Sequence, residues 1–196
     1  MVRNPERRAA LVDAAVEVLA AEGARGLTFR AVDTAAGVPT GTSSNYFTSR
    51  DDLLGQIDTW LHRRLAPDPA VVEELLTRPR DRALVTAFMR DLLGRAQRDR
   101  TGFLALMEMR LEAGRRPELR ASLMKSLRGD LDEGVAFHLA SGLPGGAEEV
   151  TLLYLGTLGL ILETLTMPGM LEGAIPGVSV PEGVVERLVE RIVPQA

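Results

Sequence analysis

Cysteine is missing from the 196 residues. Disulfides, thiolate catalysis and cysteine-ligated zinc are therefore excluded, and the composition fits a reducing cytoplasm. Histidine is nearly missing as well, with only His62 and His138, and no His-Glu-x-x-His spacing is formed. "GTSSN" (41–45) lacks the closing glycine of a nucleophile elbow and follows no strand, and "GLPGGAEE" (142–149) lacks the lysine of a phosphate-binding loop. No enzyme activity, metal or cofactor is expected. The start, "MVRNPERRAALVDAAV", has no apolar signal-peptide core. The longest charge-free apolar run, Val150 to Leu162, is thirteen residues, short of the roughly 20 that a membrane span needs. It reads as a buried core helix, and no membrane partner is expected. Charge of one sign is also scarce: the net charge is −4, which argues against indiscriminate coating of nucleic acid. Residues 1–50 lean slightly positive, with six arginines against five acidic residues.

What is present is a core's worth of apolar residues, 45% of the chain, and helix punctuation from end to end. Asn4-Pro5 predicts a capped helix whose apolar face carries Leu11, Ala14, Ala15, Val18 and Leu19 and which closes at Gly23. Thr28 predicts the cap of a second, short helix, broken by "AGV" (36–38). A third helix is expected from Pro39 or Thr40 to about Phe47. Ser49-Arg50-Asp51-Asp52 has capping-box spacing ahead of a fourth, amphipathic helix ended by Pro67 and Pro69. Further helices are expected at about 80–100, 103–114, 117–141, 147–167 and 181–193, with a long loop between the last two. The fold class is therefore all-α, with about nine helices: a three-helix N-terminal domain (1–49) containing a helix-turn-helix, then a helical bundle (50–196).

A helix, a tight glycine turn and a short polar helix outline a helix-turn-helix. Its reading helix must be slim and carry short hydrogen-bonding side chains near its N-terminus, which Thr40, Gly41, Thr42, Ser43, Ser44 and Asn45 supply. The partial positive charge of such a helix start also favours a phosphate. The same residues read equally well as a polar connector with hydroxyl caps.

The segment from Arg8 to Leu54 resembles the N-terminal domain of TetR-family transcriptional regulators. The landmarks are "LVDAAVEVLAAEGARGLTFRAVDTAAGV", then "GT", an aromatic pair ending in Phe47, and "SRDDLL". Asp33 stands where the family usually has Ala, Pro39 for Ser, Arg50 for Lys, and Ser43 and Ser44 for an apolar residue and Tyr. The resemblance implies that Thr40, Thr42, Ser43 and Asn45 meet base edges, and that Thr28, Arg30, Ser44, Tyr46 and Arg50 meet phosphates. Arg3, Arg7 and Arg8 are expected either to reach the backbone from an N-terminal arm or to be solvated surface charges. Ser44 is shorter than the usual Tyr, so either Tyr46 takes over its phosphate or the protein docks differently.

The resemblance further implies that the protein binds a double-stranded, pseudo-palindromic operator as a homodimer and responds to a small-molecule effector. The helix at 150–167 is apolar on nearly every side and is expected to be buried all round. With the last helix it supplies the expected dimer residues Leu155, Gly156, Gly159 and Leu162, and Val185, Leu188, Val189 and Ile192; closure of the monomer's own core is the other reading. Effector-pocket candidates are Trp60, Phe88, Met89, Phe103 and Met107, with Glu108, Phe137, Tyr154 and Glu163. The apolar ones suit a hydrophobic or amphipathic molecule. Glu163 on its apolar helix needs an effector, a cross-dimer Arg187 or solvent as partner. Release of DNA by such an effector, and hence repression, is the expected mode. The rival reading is a helical ligand-binding or adaptor protein that has lost operator binding.

Overall fold

The computed structural model describes residues 4–195. Those residues form nine α-helices and one short 3-10 turn, with no strand among them: α1 (Pro5–Gly26), α2 (Phe29–Ala35), the turn Ser43–Asn45, α3 (Arg50–Arg64), α4 (Pro69–Leu75), α5 (Arg82–Arg98), α6 (Arg100–Ala113), α7 (Pro117–Ala140), α8 (Ala147–Thr166) and α9 (Glu182–Ile192). They pack as two compact units. The first joins residues up to 66 with 99–127, and the second joins 67–98 with 128 onward. A division read along the chain falls at 49/50, whereas packing returns α6 and the start of α7 to the N-terminal helices.

The first unit is built around α1. Asn4 caps it by accepting the Glu6 and Arg7 amides at 2.9 and 3.3 Å. Its Leu11, Ala15, Val16 and Leu19 are fully buried against Val32 of α2, Phe47, Leu53, Leu54, Ile57 and Leu61 of α3, and Ala105 and Met109 of α6. The regular helix closes at Gly23, as expected: that residue takes φ 68° and ψ −178°, and a separate short turn beyond this kink runs to Gly26. The Glu108 carboxylate accepts the Ala24 amide there, at 3.4 Å. Thr28 caps α2 through the Ala31 amide (3.1 Å), and Ser49 caps α3 through the Asp52 amide (3.0 Å). Arg64, at the end of α3, grips Asp99 with two bonds of 2.6 and 2.7 Å and Asp13 with one of 2.7 Å. One guanidinium thus ties α1, α3 and the start of α6 together.

In the second unit, Leu75, Leu84, Val85, Leu143, Leu153, Val189 and Val193 form the core. The α4 helix is not expected from the sequence, where Pro67 and Pro69 end the helix before it. Pro69 instead occupies the first turn of a new helix capped by Asp68, where its missing N–H costs nothing. Arg82 donates to the Val193 and Pro194 carbonyls and so holds the end of α9. Among the described residues, α8 has the length and hydropathy of a membrane span. It is not buried all round: Leu153, Thr157, Leu160, Ile161 and Leu165 are buried, whereas Leu152, Leu155 and Leu162 are 45%, 57% and 41% exposed.

Candidate nucleic-acid interface

The polar stretch after α2 does not form the expected α-helix. Gly37 leaves α2 with φ 64°, and Gly41 turns again at φ 94°, a conformation that L side chains rarely adopt. Only Ser43–Asn45 then closes a 3-10 turn. Side chains compete here for backbone groups that would otherwise propagate a helix. The Thr42 hydroxyl donates to the Pro39 carbonyl at 2.5 Å, and the Ser44 hydroxyl to the Gly41 carbonyl at 2.7 Å. The Asn45 amide also donates to the Gly41 carbonyl, at 3.2 Å. Below the turn, the Asp33 carboxylate accepts from the Gly41 and Ser43 amides. Those N–H groups are therefore committed to the protein, which corrects the expectation that a helix start here offers them to a phosphate.

The candidate contact residues separate by exposure. Thr28, Arg30, Thr40, Ser44 and Asn45 are exposed, and Thr42 and Tyr46 are half-buried. Ser43 is fully buried, with its hydroxyl on Asp33 at 2.5 Å; it is withdrawn from any base edge and must leave the list of base contacts. Arg50 is turned inward. Its guanidinium donates to the Ala24 carbonyl and lies 3.6 Å from Glu112, so this conformation does not offer it to a phosphate. Arg8 is neither a free arm nor a solvated charge. It donates to Gln56 (2.7 Å) and to the Tyr46 carbonyl (3.2 Å), and sits 5.9 Å from the Phe47 ring centroid. Arg7 is exposed, and Arg3 lies outside the described residues.

Behind Arg50, Glu112 accepts from Arg116 at 2.7 Å and Arg115 at 3.3 Å, and Arg116 also reaches Asp51 at 2.5 Å. Burial pushes the Glu112 carboxyl up, but hydrogen bonds from Arg116 and Arg115 and the charges of Arg50 and Arg116 prevail and hold it below the ordinary range. Asp52 is also held low, chiefly by the Thr48 amide. Asp33 stood out in the sequence only as a departure from the family pattern, because its partners lie in an irregular turn. Glu112 has Arg115 and Arg116 at helical spacing, but nothing local announced the distant Arg50 beside it.

The effector-pocket candidates divide between the two units. In the first, the Trp60 indole N–H donates to Asp13 at 3.3 Å under the Arg63 guanidinium, which joins α3 to α1. Glu108 is engaged at Ala24 as described; Phe103 is buried and Met107 half-buried. In the second unit, Phe88 and Phe137 meet edge to face at 5.5 Å, and the Thr157 hydroxyl reaches the Met89 sulfur at 3.7 Å. Tyr154 and Glu163 are half-buried on α8. A groove of about 240 Å³ in the first unit is lined by Arg110, Ala113, Gly114, Arg120, Leu123, Met124 and Leu127.

The dimer candidates also separate. Val185 and Val189 are buried inside their own unit, and Leu188 and Ile192 pack on its core. A Cβ on Gly156 would lie 3.1 Å from Leu188, so that glycine serves the α8–α9 approach within one chain. Leu155, Gly159 and Leu162 alone keep an open face.

An all-α chain with an exposed polar turn held against an N-terminal three-element head is the architecture of a helix-turn-helix transcriptional regulator. Residues 11–57 match the family described as bacterial regulatory proteins, tetR family, and residues 80–195 match the tetracyclin repressor-like C-terminal domain. The chain belongs to the TetR family of transcriptional regulators. It is similar over 97% of its length to 99% of a TetR-family member from Streptomyces coelicolor A3, at 27% identity and a TM-score of 0.71. It is also similar to the multidrug binding protein EbrR complexed with ethidium, at 27% identity and a TM-score of 0.62, covering 96% of this chain and 99% of that one. A Rhodococcus transcriptional regulator, at 21% identity, covers 97% and 96% with a TM-score of 0.71 and shares the fold. Comparison with curated proteins finds no match.

Proposed function

We propose that this protein is a cytoplasmic homodimeric repressor that reads a pseudo-palindromic operator and is released by a hydrophobic or amphipathic small molecule. The observation that carries the DNA reading is the turn at 40–46, which keeps Thr40 and Asn45 exposed and Thr42 half-buried on a head whose Phe47 is 1% exposed. Short hydrogen-bonding side chains on a rigid support suit base-edge contact in the major groove. On this reading residues 1–49 bind DNA, and residues 50–196 dimerise and hold the effector. Thr28, Arg30 and Tyr46 take phosphates, with Arg50 joining them once released from Ala24 and Glu112.

Self-association is supported by the open stripe Leu152, Leu155, Gly159 and Leu162 on α8, since exposed apolar residues in register on one helix gain by mutual burial. Two heads would then read half-sites about 34 Å apart. The effector class is supported by the Phe88–Phe137 pair and by Met89 beside Thr157, and by similarity to the multidrug binding protein EbrR, complexed with ethidium and with malachite green. An effector that fits only the dimer with badly spaced heads would draw the population to that state and weaken operator binding, with α3 as the lever.

The test is a gel-shift titration on DNA upstream of the protein's own gene and its divergent neighbour, at two salt concentrations, with Asn45→Ala alongside. The expected result is a discrete, salt-sensitive complex, weakened by the variant by about 1–3 kcal/mol. The inward Arg50 and the locally bonded Ser44 favour the rival, a ligand-binding protein that has lost operator binding. Absence of any shift, followed by failure to select a sequence from random DNA, would establish that rival.

A further inference from the structure

Asp33 lies within α2 with 1% of its surface exposed, and a buried carboxylate needs donors. It receives three from one short segment: the Gly41 amide at 2.6 Å, the Ser43 amide at 2.7 Å and the Ser43 hydroxyl at 2.5 Å. Ser43 itself is 0% exposed. These are two of the positions at which the chain departs from the family pattern, and the structure joins them in one contact. An alanine and an apolar residue in their places would meet through packing alone, and the two amides would need other acceptors. Here a charged acceptor serves all three donors, and such charge-assisted bonds are roughly twice as strong as neutral ones.

The geometry points to a division of labour within the turn. Ser43 is drawn inward, Gly41 takes the φ of 94° that brings its amide onto the carboxylate, and Thr40, Ser44 and Asn45 face out around them. We propose that the Asp33–Ser43 pair is the positioning device that sets where the outward side chains stand, and hence which base sequence the protein accepts. This rests on the reading of the turn as the DNA-contacting segment. Asp33 does not touch DNA in this scheme; it acts through the two amides it holds. With those amides occupied, phosphates fall to side chains, and selectivity depends on a buried charge rather than on helix propagation.

The test uses the full-length protein and two readouts. Asp33→Asn keeps the volume but turns one acceptor oxygen into an NH2 that cannot receive an amide proton. Amide exchange at Gly41 and Ser43, followed by NMR, is expected to quicken by about tenfold or more, while Leu11 and Leu19 in α1 stay unchanged. A duplex selected by the wild type from random DNA is then compared with a scrambled one. The specific-to-scrambled affinity ratio is expected to fall by about tenfold with scrambled binding retained, an outcome that mere loss of folded protein would not produce. Ser43→Ala removes the hydroxyl alone and should lower the ratio by about threefold; it decides the matter if Asp33→Asn does not fold.

Unchanged amide exchange, or an unchanged ratio in a folded variant, overturns the role given to the pair. A wild type that selects no sequence at all overturns the DNA reading itself. A wild type that selects an operator, with Asp33→Asn folded and retaining the full ratio, overturns the role of the pair and leaves the DNA reading standing.

Discussion

The two packing units are held by different means. In the first, helices that meet over an apolar core are also tied by long-range polar groups: Arg64 to Asp99 and Asp13, Arg8 to Gln56, and Asp33 to the turn. In the second, the long-range charged ties sit at the margins, with Arg82 at the end of α9 and an exposed Arg90–Glu186 pair, while the buried polar contacts are few: Thr157 on Met89 and His138 on the Pro144 carbonyl. That unit also leaves leucines of α8 open. The contrast has a physical meaning. A surface that recognises by hydrogen bonds must hold its donors in place, and directional bonds do that better than packing. A surface that recognises by burial needs only apolar area in register, and is incomplete until something covers it.

The sharpest way to break the comparison is to remove packing from the unit that looks polar. Phe47→Ala empties a site only 1% exposed and should cost about 3–5 kcal/mol in chemical denaturation. A loss under 1 kcal/mol would mean that the polar ties, and not the core, carry the head. Next comes the open face of α8. Leu155→Arg should leave the monomer folded yet weaken self-association by about a hundredfold in sedimentation, with operator binding falling alongside; an unchanged dimer would remove this face from the interface.

Arg64→Lys sharpens the contrast from the other side. Lysine cannot reproduce the two-pronged grip on Asp99 while still reaching Asp13, so a loss of about 1–2 kcal/mol is expected by thermal unfolding. A neutral result would show the hub to be decoration. The smallest effect is the dependence on pH. A carboxyl held low in the fold binds fewer protons there than in the unfolded chain. Glu112 therefore contributes its stability in full above its ordinary value of about 4.5, and loses it as pH falls through the folded value. Asp99 behaves likewise below its ordinary 3.8, because burial pushes it up but the Arg64 hydrogen bonds, the Gly102 amide and the Arg64 charge together outweigh that push. Denaturation series from pH 7 to 3 should decline below about 4.5, and Glu112→Gln should flatten that decline.

How much was legible follows from the range of each signal. Helices α1 to α3 and α5 to α9 stand close to the stretches expected for them, because Asn4, Thr28, Ser49 and the glycine and proline breaks act within a few residues of themselves. Pro69 misled because a proline that ends one helix can open the next. The polar turn after α2 stands where it is expected, but as a 3-10 turn rather than an α-helix. A count of hydroxyls says that a segment is polar, but not that Thr42 and Ser44 will spend their bonds on the Pro39 and Gly41 carbonyls. The dimer candidates on α9 were apolar and in register, yet Val185 and Val189 turned to the chain's own core. Periodicity identifies a buried face without saying what buries it.

Local sequence signals settle that the chain is helical, that a polar turn follows the second helix, and that its N-terminal segment resembles that of TetR-family regulators. These depend on local caps, breakers and apolar spacing. Tertiary structure alone decided that Ser43 points inward, that Arg50 lies against Ala24 and Glu112, and that α8 keeps an open stripe. Each depends on residues brought together from distant parts of the chain or around an irregular turn. Whether a hydroxyl, a guanidinium or a leucine is spent inside the fold or kept for a partner is settled only when those neighbours arrive.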